Sequence, residues 1–310
     1  MAGRVVGVTG ATGFLGRRIV RALAADGWRV RILARRDPID PLWADLEPEV
    51  VLGDLADERA LASLVRNAEA VIHGAALVKA RSAGEFAAVN REGARRLALA
   101  AADVPNVVLV SSLAAREPGL SPYAASKRAA EEAMAEILGP RLTIARPPAI
   151  YGPGDRELLP VFQAAATLPV LPVLSRTARV GMIHVEDAAR QIAALAARPA
   201  GRAVALSDER PEGYSWAELM ATAARACGRH SRLAPVPSAL VRLVGITNDF
   251  RAMFGANPML TSGKARELLH PDWSIRPDER LPGLPAPLYT LATGFSHTVG
   301  WYRHAAWMKH

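Results

Sequence analysis

The sequence predicts an α/β chain: a doubly wound parallel sheet in residues 1–150, then a smaller, mixed C-terminal substrate lobe in residues 151–310. Two observations carry this. Short β-branched runs alternate with longer Ala/Leu/Arg-rich stretches at helical spacing through the first half, and prolines crowd in after Arg146, at Pro147, Pro148, Pro153 and Pro160. Strands are expected at Val5–Thr9, Val30–Ala34, Val50–Leu52, Ala70–His73, Val107–Ser111 and Leu142–Arg146. The helices between them fall at Leu15–Ala25, Glu58–Val65, Ala83–Ala102 and Ser121–Leu138, the last with Glu131, Glu132 and Glu136 on a soluble flank. Met182–His184, Val185–Ala197 and Ala203–Ser207 are regular enough that segments near 182–207 should return to the sheet. Beyond Pro211 come helices at Trp216–Cys227 and Ser238–Val244 and a proline-rich stretch from Pro271 to Pro287. These should cap the carboxyl edge of the sheet, where open α/β sheets bind ligands.

Composition narrows the function classes. The 310 residues are half hydrophobic and 22% charged, enough for a real core and too apolar for long disorder. Only Lys79, Lys127, Lys264 and Lys309 are lysines among 38 basic residues, so the net charge of +8 is arginine's doing. The arginines are scattered and aromatics make up 5%, a poor basis for a base-stacking surface, and no nucleic-acid partner is expected. Most of them read as solvated surface. The single cysteine, Cys227, excludes an internal disulfide framework and a Cys-based zinc site, so no metal is expected and a reducing compartment is. The first residues run at once into a strand-like segment without a signal-peptide pattern, which points to a cytoplasmic protein. The longest uncharged stretch, Leu158 to Ser175, contains Pro160, Pro169 and Pro172 and predicts no transmembrane segment.

Between the first strand and the first helix stands Thr9-Gly10-Ala11-Thr12-Gly13-Phe14-Leu15-Gly16. Gly10 permits a tight turn, Gly13 lets backbone approach a pyrophosphate and Gly16 allows close helix–strand packing, the Rossmann-type arrangement for a dinucleotide. The second strand ends in Ile32-Leu33-Ala34-Arg35-Arg36, where NAD-binding chains usually carry an acid for the ribose 2′-hydroxyl. An arginine fork grips a 2′-phosphate, so NADP(H) is favoured over NAD(H), with Asp37 left as the group that could serve a ribose.

Tyr123 and Lys127 are four apart at the start of a predicted helix and therefore share a face. A phenol titrates too high for easy proton exchange at neutral pH, and a neighbouring ammonium would lower it.

Taken with Gly53-Asp54-Leu55, His73-Gly74-Ala75-Ala76, Val110-Ser111-Ser112, Arg146-Pro147-Pro148-Ala149-Ile150-Tyr151-Gly152 and Ile183-His184-Val185-Glu186-Asp187, these motifs make the chain resemble an extended short-chain dehydrogenase/reductase of the NAD-dependent epimerase/dehydratase family. The resemblance spans Val5 to Asp187. It implies cofactor binding by Gly10, Thr12, Gly13, Phe14, Leu15, Gly16, Arg35 and Arg36, with Asp54 at the adenine amine and Leu55 on the ring. Ala75 and Ala76 would line the dinucleotide, and Pro147 and Ile150 would meet the nicotinamide side. It implies three catalytic residues: Ser112 bonding the substrate oxygen, Tyr123 moving the proton, and Lys127 binding the nicotinamide ribose while restraining the tyrosine. Ser111 stands as the alternative to Ser112, Asn90 as a positioning or relay residue, and His184 and Asp187 as architecture. The family usually spends about twice the eleven residues that separate Ser112 from Tyr123, so the site should be more open on that side.

Dehydratases of the family follow the catalytic hydroxyl with an Asp-Glu pair, whereas Ser112 is followed by Leu113, Ala114 and Ala115. With Arg35 in place, net reduction of a ketone leads, by an NADP(H)-dependent oxidoreductase. Leu158–Leu174 and Leu240–Phe254 are long apolar surfaces suited to a lipid-like keto substrate, such as a 3-oxo sphingoid, a 3-oxo ceramide or a sterol, or else to ordinary core or an oligomer face. Peripheral membrane contact and a homodimer stay open as partners. The alternatives are an NAD-dependent nucleotide-sugar epimerase and a non-catalytic cofactor-binding regulator or assembly subunit.

Overall fold

A computed structural model describes residues 4–38, 40–78, 83–253 and 260–309. The chain runs β1 (Val5–Thr9), α1 (Gly16–Ala25), β2 (Arg29–Ala34), β3 (Glu49–Leu52), α2 (Glu58–Val65), β4 (Ala70–His73), α3 (Ala83–Phe86), a π-helical segment (Ala87–Glu92), α4 (Gly93–Ala100), β5 (Asn106–Val110), α5 (Pro122–Leu138) and β6 (Leu142–Arg146). Then come β7 (Ala149–Tyr151), α6 (Leu159–Thr167), β8 (Val170–Val173), β9 (Arg179–Val180), β10 (Met182–His184), α7 (Val185–Ala197) and β11 (Ala203–Ala205). The chain closes with β12 (Tyr214–Ser215), α8 (Trp216–Ala226), β13 (Arg232–Pro235), α9 (Ser238–Met253), α10 (Ser262–Leu268) and α11 (Leu291–His304).

Seven strands form one parallel sheet in the order β11-β6-β5-β4-β1-β2-β3. Because both faces are covered, the strands read as near-continuous apolar runs, and alternate residues serve opposite cores. Val6, Val8, Ile72 and Val108 pack with Ile19 and Leu23 of α1 and Ile192 of α7. Val71, Val107 and Leu109 pack on the other face with Leu61 and Leu64 of α2, Leu97 of α4 and Met134 of α5. Of the stretch 182–207, β11 joins the sheet beside β6, whereas β10 pairs with β7 in a separate two-stranded ribbon.

Caps explain where the helices start. Asp57 accepts from Arg59 N and Ala60 N at 3.0 Å to open α2, and Ser121 accepts from Ala124 N at 2.9 Å to open α5, with Pro122 in the first turn. The single helix expected over Ala83–Ala102 is instead α3, a π segment and α4, the extra residue per turn falling at Asn90.

The second lobe has its own core. Phe162, Leu171, Val173, Leu219, Met220, Phe295, Val299 and Tyr302 close around Tyr151, whose ring meets Phe295 edge-on at 4.9 Å. Of the two roles open to Leu158–Leu174, substrate wall or core, its inner face takes the core. Phe254, which ends the second apolar stretch, lies outside the described residues.

Between α10 and α11 runs a strap with little regular structure, and arginines from elsewhere hold it by its carbonyls. Arg116 donates to Ser274 O at 2.9 Å and Asp272 O at 3.3 Å, Arg202 to Asp278 O and Arg280 O at 2.9 and 2.7 Å, Arg190 to Ala286 O at 3.0 Å, and Arg198 to Gly283 O. Arg18 and Arg31 are likewise buried, each bound to several carbonyls and to a carboxylate. The scattered arginines are thus not all solvated surface. A planar, always-charged fork with five donors suits backbone oxygens that have no sheet or helix partner.

Candidate active site

The glycine turn between β1 and α1 is built as its spacing predicts. A side-chain carbon on Gly10, whose φ is +73°, would collide with Ala75 N and Gly74 C at 2.5 Å, and one on Gly16 would meet Gly10 O at 2.0 Å. At Gly13 the nearest atom would be Gly10 O at 3.2 Å, so the outer side of the turn is open. The first turn of α1 carries no acid, which leaves its positive end to an anion. This cradle fits the pyrophosphate of a dinucleotide, with Thr12, Phe14 and Leu15 on the same turn. Thr9, at the end of β1, ties the turn to the next crossover: its hydroxyl accepts from Ala75 N at 3.3 Å and shares a 2.7 Å hydrogen bond with His73 Nδ1.

At the end of β2, Arg35 and Arg36 are exposed and form no ion pair among the described residues. Asp54 is exposed beyond β3 and accepts from Ala56 N at 2.7 Å, and Leu55 is half-buried against Gly93. Ala75 and Ala76 line the crossover after β4. Pro147 O accepts from Leu113 N at 2.9 Å, and Ile150 pairs with Ile183.

The structure brings Ser112, Tyr123 and Lys127 to the carboxyl end of β5. Ser112 caps the short turn Leu113–Arg116, accepting from Ala114 N at 3.2 Å, and its side chain lies beside the Tyr123 phenol. Burial pushes the half-exposed phenol up to about 12, the neighbouring Ser112 side chain offsets part of this, and the Glu267 carboxylate adds to it. The ammonium expected to lower the phenol does not set its value here. Lys127 Nζ donates instead to Val110 O at 2.7 Å, and burial brings it down to about 8 against the pull of Glu131. The result is a neutral phenol beside a lysine poised to lose its proton just above neutral pH.

Ser111 is occupied elsewhere. Its hydroxyl donates to Glu131 Oε1 at 2.6 Å, and Arg146 Nε donates to the same oxygen at 2.9 Å. Glu131 is thus buried beneath the site, 3% exposed, and not on the soluble flank that the sequence suggested. Its position four residues after Lys127, on the same helical face, was the signal that could have placed it there. Asn90 is fully engaged: Oδ1 accepts from Leu77 N at 2.7 Å, and Nδ2 donates to Leu77 O at 3.0 Å and Ser126 Oγ at 2.9 Å. It clasps the loop after β4 to α5. His184 and Asp187 lie outside this constellation; Asp187 accepts from Leu288 N and Tyr289 N at 2.8 and 3.1 Å, and His184 stacks on Tyr289.

The short Ser112–Tyr123 connection does not leave its side bare. Leu113 is buried with Ile275 and Ala205, and Arg116 pairs with Glu279 at 2.9 Å as it holds the strap across the turn. On the other side α10 reaches the start of α5, where Ser121 hydrogen-bonds Glu267 and Arg266 donates to Leu120 O at 2.7 Å. Glu267 has no motif around it, and only the tertiary contact reveals it.

A Rossmann sheet with a glycine cradle after β1 and a Ser, Tyr and Lys together at the end of β5 defines an extended short-chain dehydrogenase/reductase. The sequence model of the NAD dependent epimerase/dehydratase family matches residues 6–206, and the chain belongs to that family. It is an enzyme of the NAD(P)-dependent dehydrogenase/reductase type, and its family binds a nicotinamide cofactor. A ceramide reductase of Caulobacter vibrioides is 53% identical over 98% of this chain and 96% of its own length. Sterol demethylase protein B of Methylococcus capsulatus is 35% identical over 48% of this chain and 52% of its own. Among solved structures, a dTDP-glucose 4,6-dehydratase from Streptomyces venezuelae with NAD bound superposes with a TM-score of 0.71 at 24% identity, covering 99% of both chains, a likeness of fold.

Proposed function

We propose that the chain is an NADP(H)-dependent reductase of a lipid-like ketone, of the 3-oxo ceramide type, with Ser112, Tyr123 and Lys127 as its catalytic residues. The observation that carries it is the meeting of Ser112, Tyr123 and Lys127 at the carboxyl end of β5, with Lys127 Nζ held on Val110 O at 2.7 Å and the half-buried Tyr123 phenol neutral. A phenol that stays protonated at neutral pH carries the proton that a carbonyl oxygen takes up as it gains negative charge, and a neighbouring ammonium eases its release. When bound, the nicotinamide supplies the hydride. Tyr123 gives its proton to the substrate oxygen, Ser112 orients that oxygen, and Lys127, beside Val110 O, is placed to hold the ribose and steady the developing charge. Arg35 and Arg36, exposed and unpaired, support a 2′-phosphate.

The substrate class is supported by the ceramide reductase relative, whose likeness runs along nearly the whole chain and so includes the second lobe. Residues 1–150 act as the cofactor domain and 151–310 as the substrate lobe. The test is oxidation of NADPH and of NADH in the presence of a 3-oxo ceramide, with Tyr123→Phe beside the wild type. The expected result is faster turnover with NADPH and a kcat lowered by about 10²- to 10⁴-fold in the variant. Undiminished turnover in Tyr123→Phe would sink the mechanism, and a preference for NADH would sink the cofactor assignment.

A further inference from the structure

Helix α9 uses one narrow face to hold on to the molecule and shows the other to solvent. Val241 and Gly245, four residues apart, are its buried positions between Ser238 and Asp249, and a side-chain carbon on Gly245 would touch Ser262 Cα and Ala265 Cβ of α10 at 3.0 and 3.2 Å. The opposite face carries Leu240, Leu243, Val244 and Ile246, which are 52, 56, 39 and 59% exposed. Leucines exposed to this degree and grouped on one helix face are a patch rather than isolated surface apolars. Leu233 of β13, at the start of the same stretch, is 36% exposed.

Charges along the segment leading into α9 and on its first turns have one sign, and Asp249, further along the helix, is engaged by Ser262 N at 3.0 Å. From Arg229 to Asn248 the chain contains Arg229, Arg232 and Arg242 and no acidic residue. All three arginines are exposed, and none takes part in an ion pair among the described residues. Elsewhere in this protein arginines are consumed by carbonyls and carboxylates, as at Arg18, Arg31 and Arg116. Here they are left to the solvent, Arg242 on the helix itself and Arg229 and Arg232 on the segment leading into it, an arrangement that complements anionic headgroups above acyl chains. No helix of the described residues is long and apolar enough to cross a membrane, so this face can lie on a bilayer and not span it.

The face also connects to the site. Gly245 packs on α10, and α10 packs in turn on the start of α5: Gly263 abuts Ser121 and Pro122, and Glu267 bonds Ser121, two residues before Tyr123. One helix separates the patch from the reacting phenol.

We infer that the outward face of α9, with Arg242 on the helix and Arg229 and Arg232 on the segment leading into it, is the surface by which the enzyme docks on an anionic lipid bilayer. Docking there would hold the second lobe against the phase in which a long-chain ketone resides. The inference stands on surface geometry and charge, and its test uses no substrate, so the reading of the reaction can fail independently of it.

The experiment is flotation of the full chain with vesicles of phosphatidylcholine alone and of phosphatidylcholine and phosphatidylglycerol in equal parts, at low and high salt. The wild type is expected to float with the mixed vesicles and to be released by salt. Leu243→Glu/Ile246→Glu should lower the partition coefficient at least about tenfold, because two apolar side chains lose their burial in the interface. Arg229→Gln/Arg232→Gln/Arg242→Gln should lower binding to the mixed vesicles by a similar factor and flatten the salt dependence. Melting temperatures like that of the wild type confirm that each variant is folded, and either variant alone suffices for the test. Failure of the wild type to float with mixed vesicles overturns the inference, as does a folded double-glutamate variant that floats like the wild type. So does sedimentation showing a wild-type dimer that the glutamates dissociate, which would assign the face to a second copy of the chain.

Discussion

The seven-stranded sheet and the strap between α10 and α11 are held by different physics. The sheet region orders itself through repeated, in-register backbone bonds and two continuous apolar cores, so neighbouring residues share and duplicate the same stabilising interactions. The strap has no sheet or long helix to satisfy its carbonyls. It depends on single guanidinium groups reaching from the body, Arg116, Arg190, Arg198 and Arg202. The difference gives part of the arginine excess a structural role: a planar fork with fixed donor directions holds two carbonyls at less entropic cost than a lysine on a flexible stem. It also means that one residue can loosen the strap while the sheet stays intact.

Substitutions in the two regions should therefore differ in size and in reach. Leu97→Ala empties a site with no solvent exposure and should cost about 2–5 kcal/mol, unfolding the whole molecule earlier in a denaturant titration. Arg116→Met removes a nearly buried fork from two carbonyls and Glu279, at about 2–3 kcal/mol. Its signature should be local, with faster amide exchange in residues 272–279 and protection in β4 and β5 unchanged; equal loss of protection in the sheet would erase the distinction drawn between the regions. At the cofactor end of the sheet, Arg35→Ser/Arg36→Ser should raise the KM for NADPH by about tenfold and leave that for NADH nearly unchanged, as expected if the proposed 2′-phosphate contact is their role. Steady-state kinetics with both cofactors decides it.

The smallest effects concern pH. With Tyr123 neutral up to about 12 and Lys127 losing its proton near 8, the alkaline fall in kcat/KM should lie near pH 8 and report the lysine. A fall appearing only near pH 10 or above would assign it to the phenol instead. The stability profile should show the opposite trend for the same group. Below about pH 8 the fold bears the burial of a lysine ammonium, and this penalty is relieved as pH rises from 8 towards the ordinary lysine value. In the second lobe Asp208, buried and hydrogen-bonded to Tyr214 at 2.7 Å, is pushed up to about 7 by burial. Its contribution is full below the ordinary aspartate range and lost as pH rises through 7, so Asp208→Asn should flatten the fall in melting temperature between about pH 4 and 7.

The ordering of elements in the first 150 residues was legible because periodicity and glycine placement are local properties. Where the reading went astray, a long-range partner decided the matter. Glu131 looked like one of three surface acids on α5, yet Ser111 and Arg146 draw it under the site. Leu158–Leu174 is apolar enough for a ligand wall or for core, and α8 and α11 decide it by covering its inner face. Helix α11 has its apolar residues, Leu291, Phe295, Val299 and Tyr302, at helical spacing, but the stretch is interrupted by Gly294 and Gly300 and escaped notice. Gly294 is needed because the Tyr151 ring lies where its side chain would be.

Sequence by itself determined the sheet, the glycine cradle and the pairing of Tyr123 with Lys127, since all three follow from spacing along a strand or a helix. Tertiary structure decided which serine is free to meet the phenol, what covers the short loop after Ser112, and how the phenol and the lysine are tuned. Those depend on burial and on groups more than a hundred residues away, such as Glu267 and Glu279, and no local pattern encodes the dielectric surroundings of a side chain.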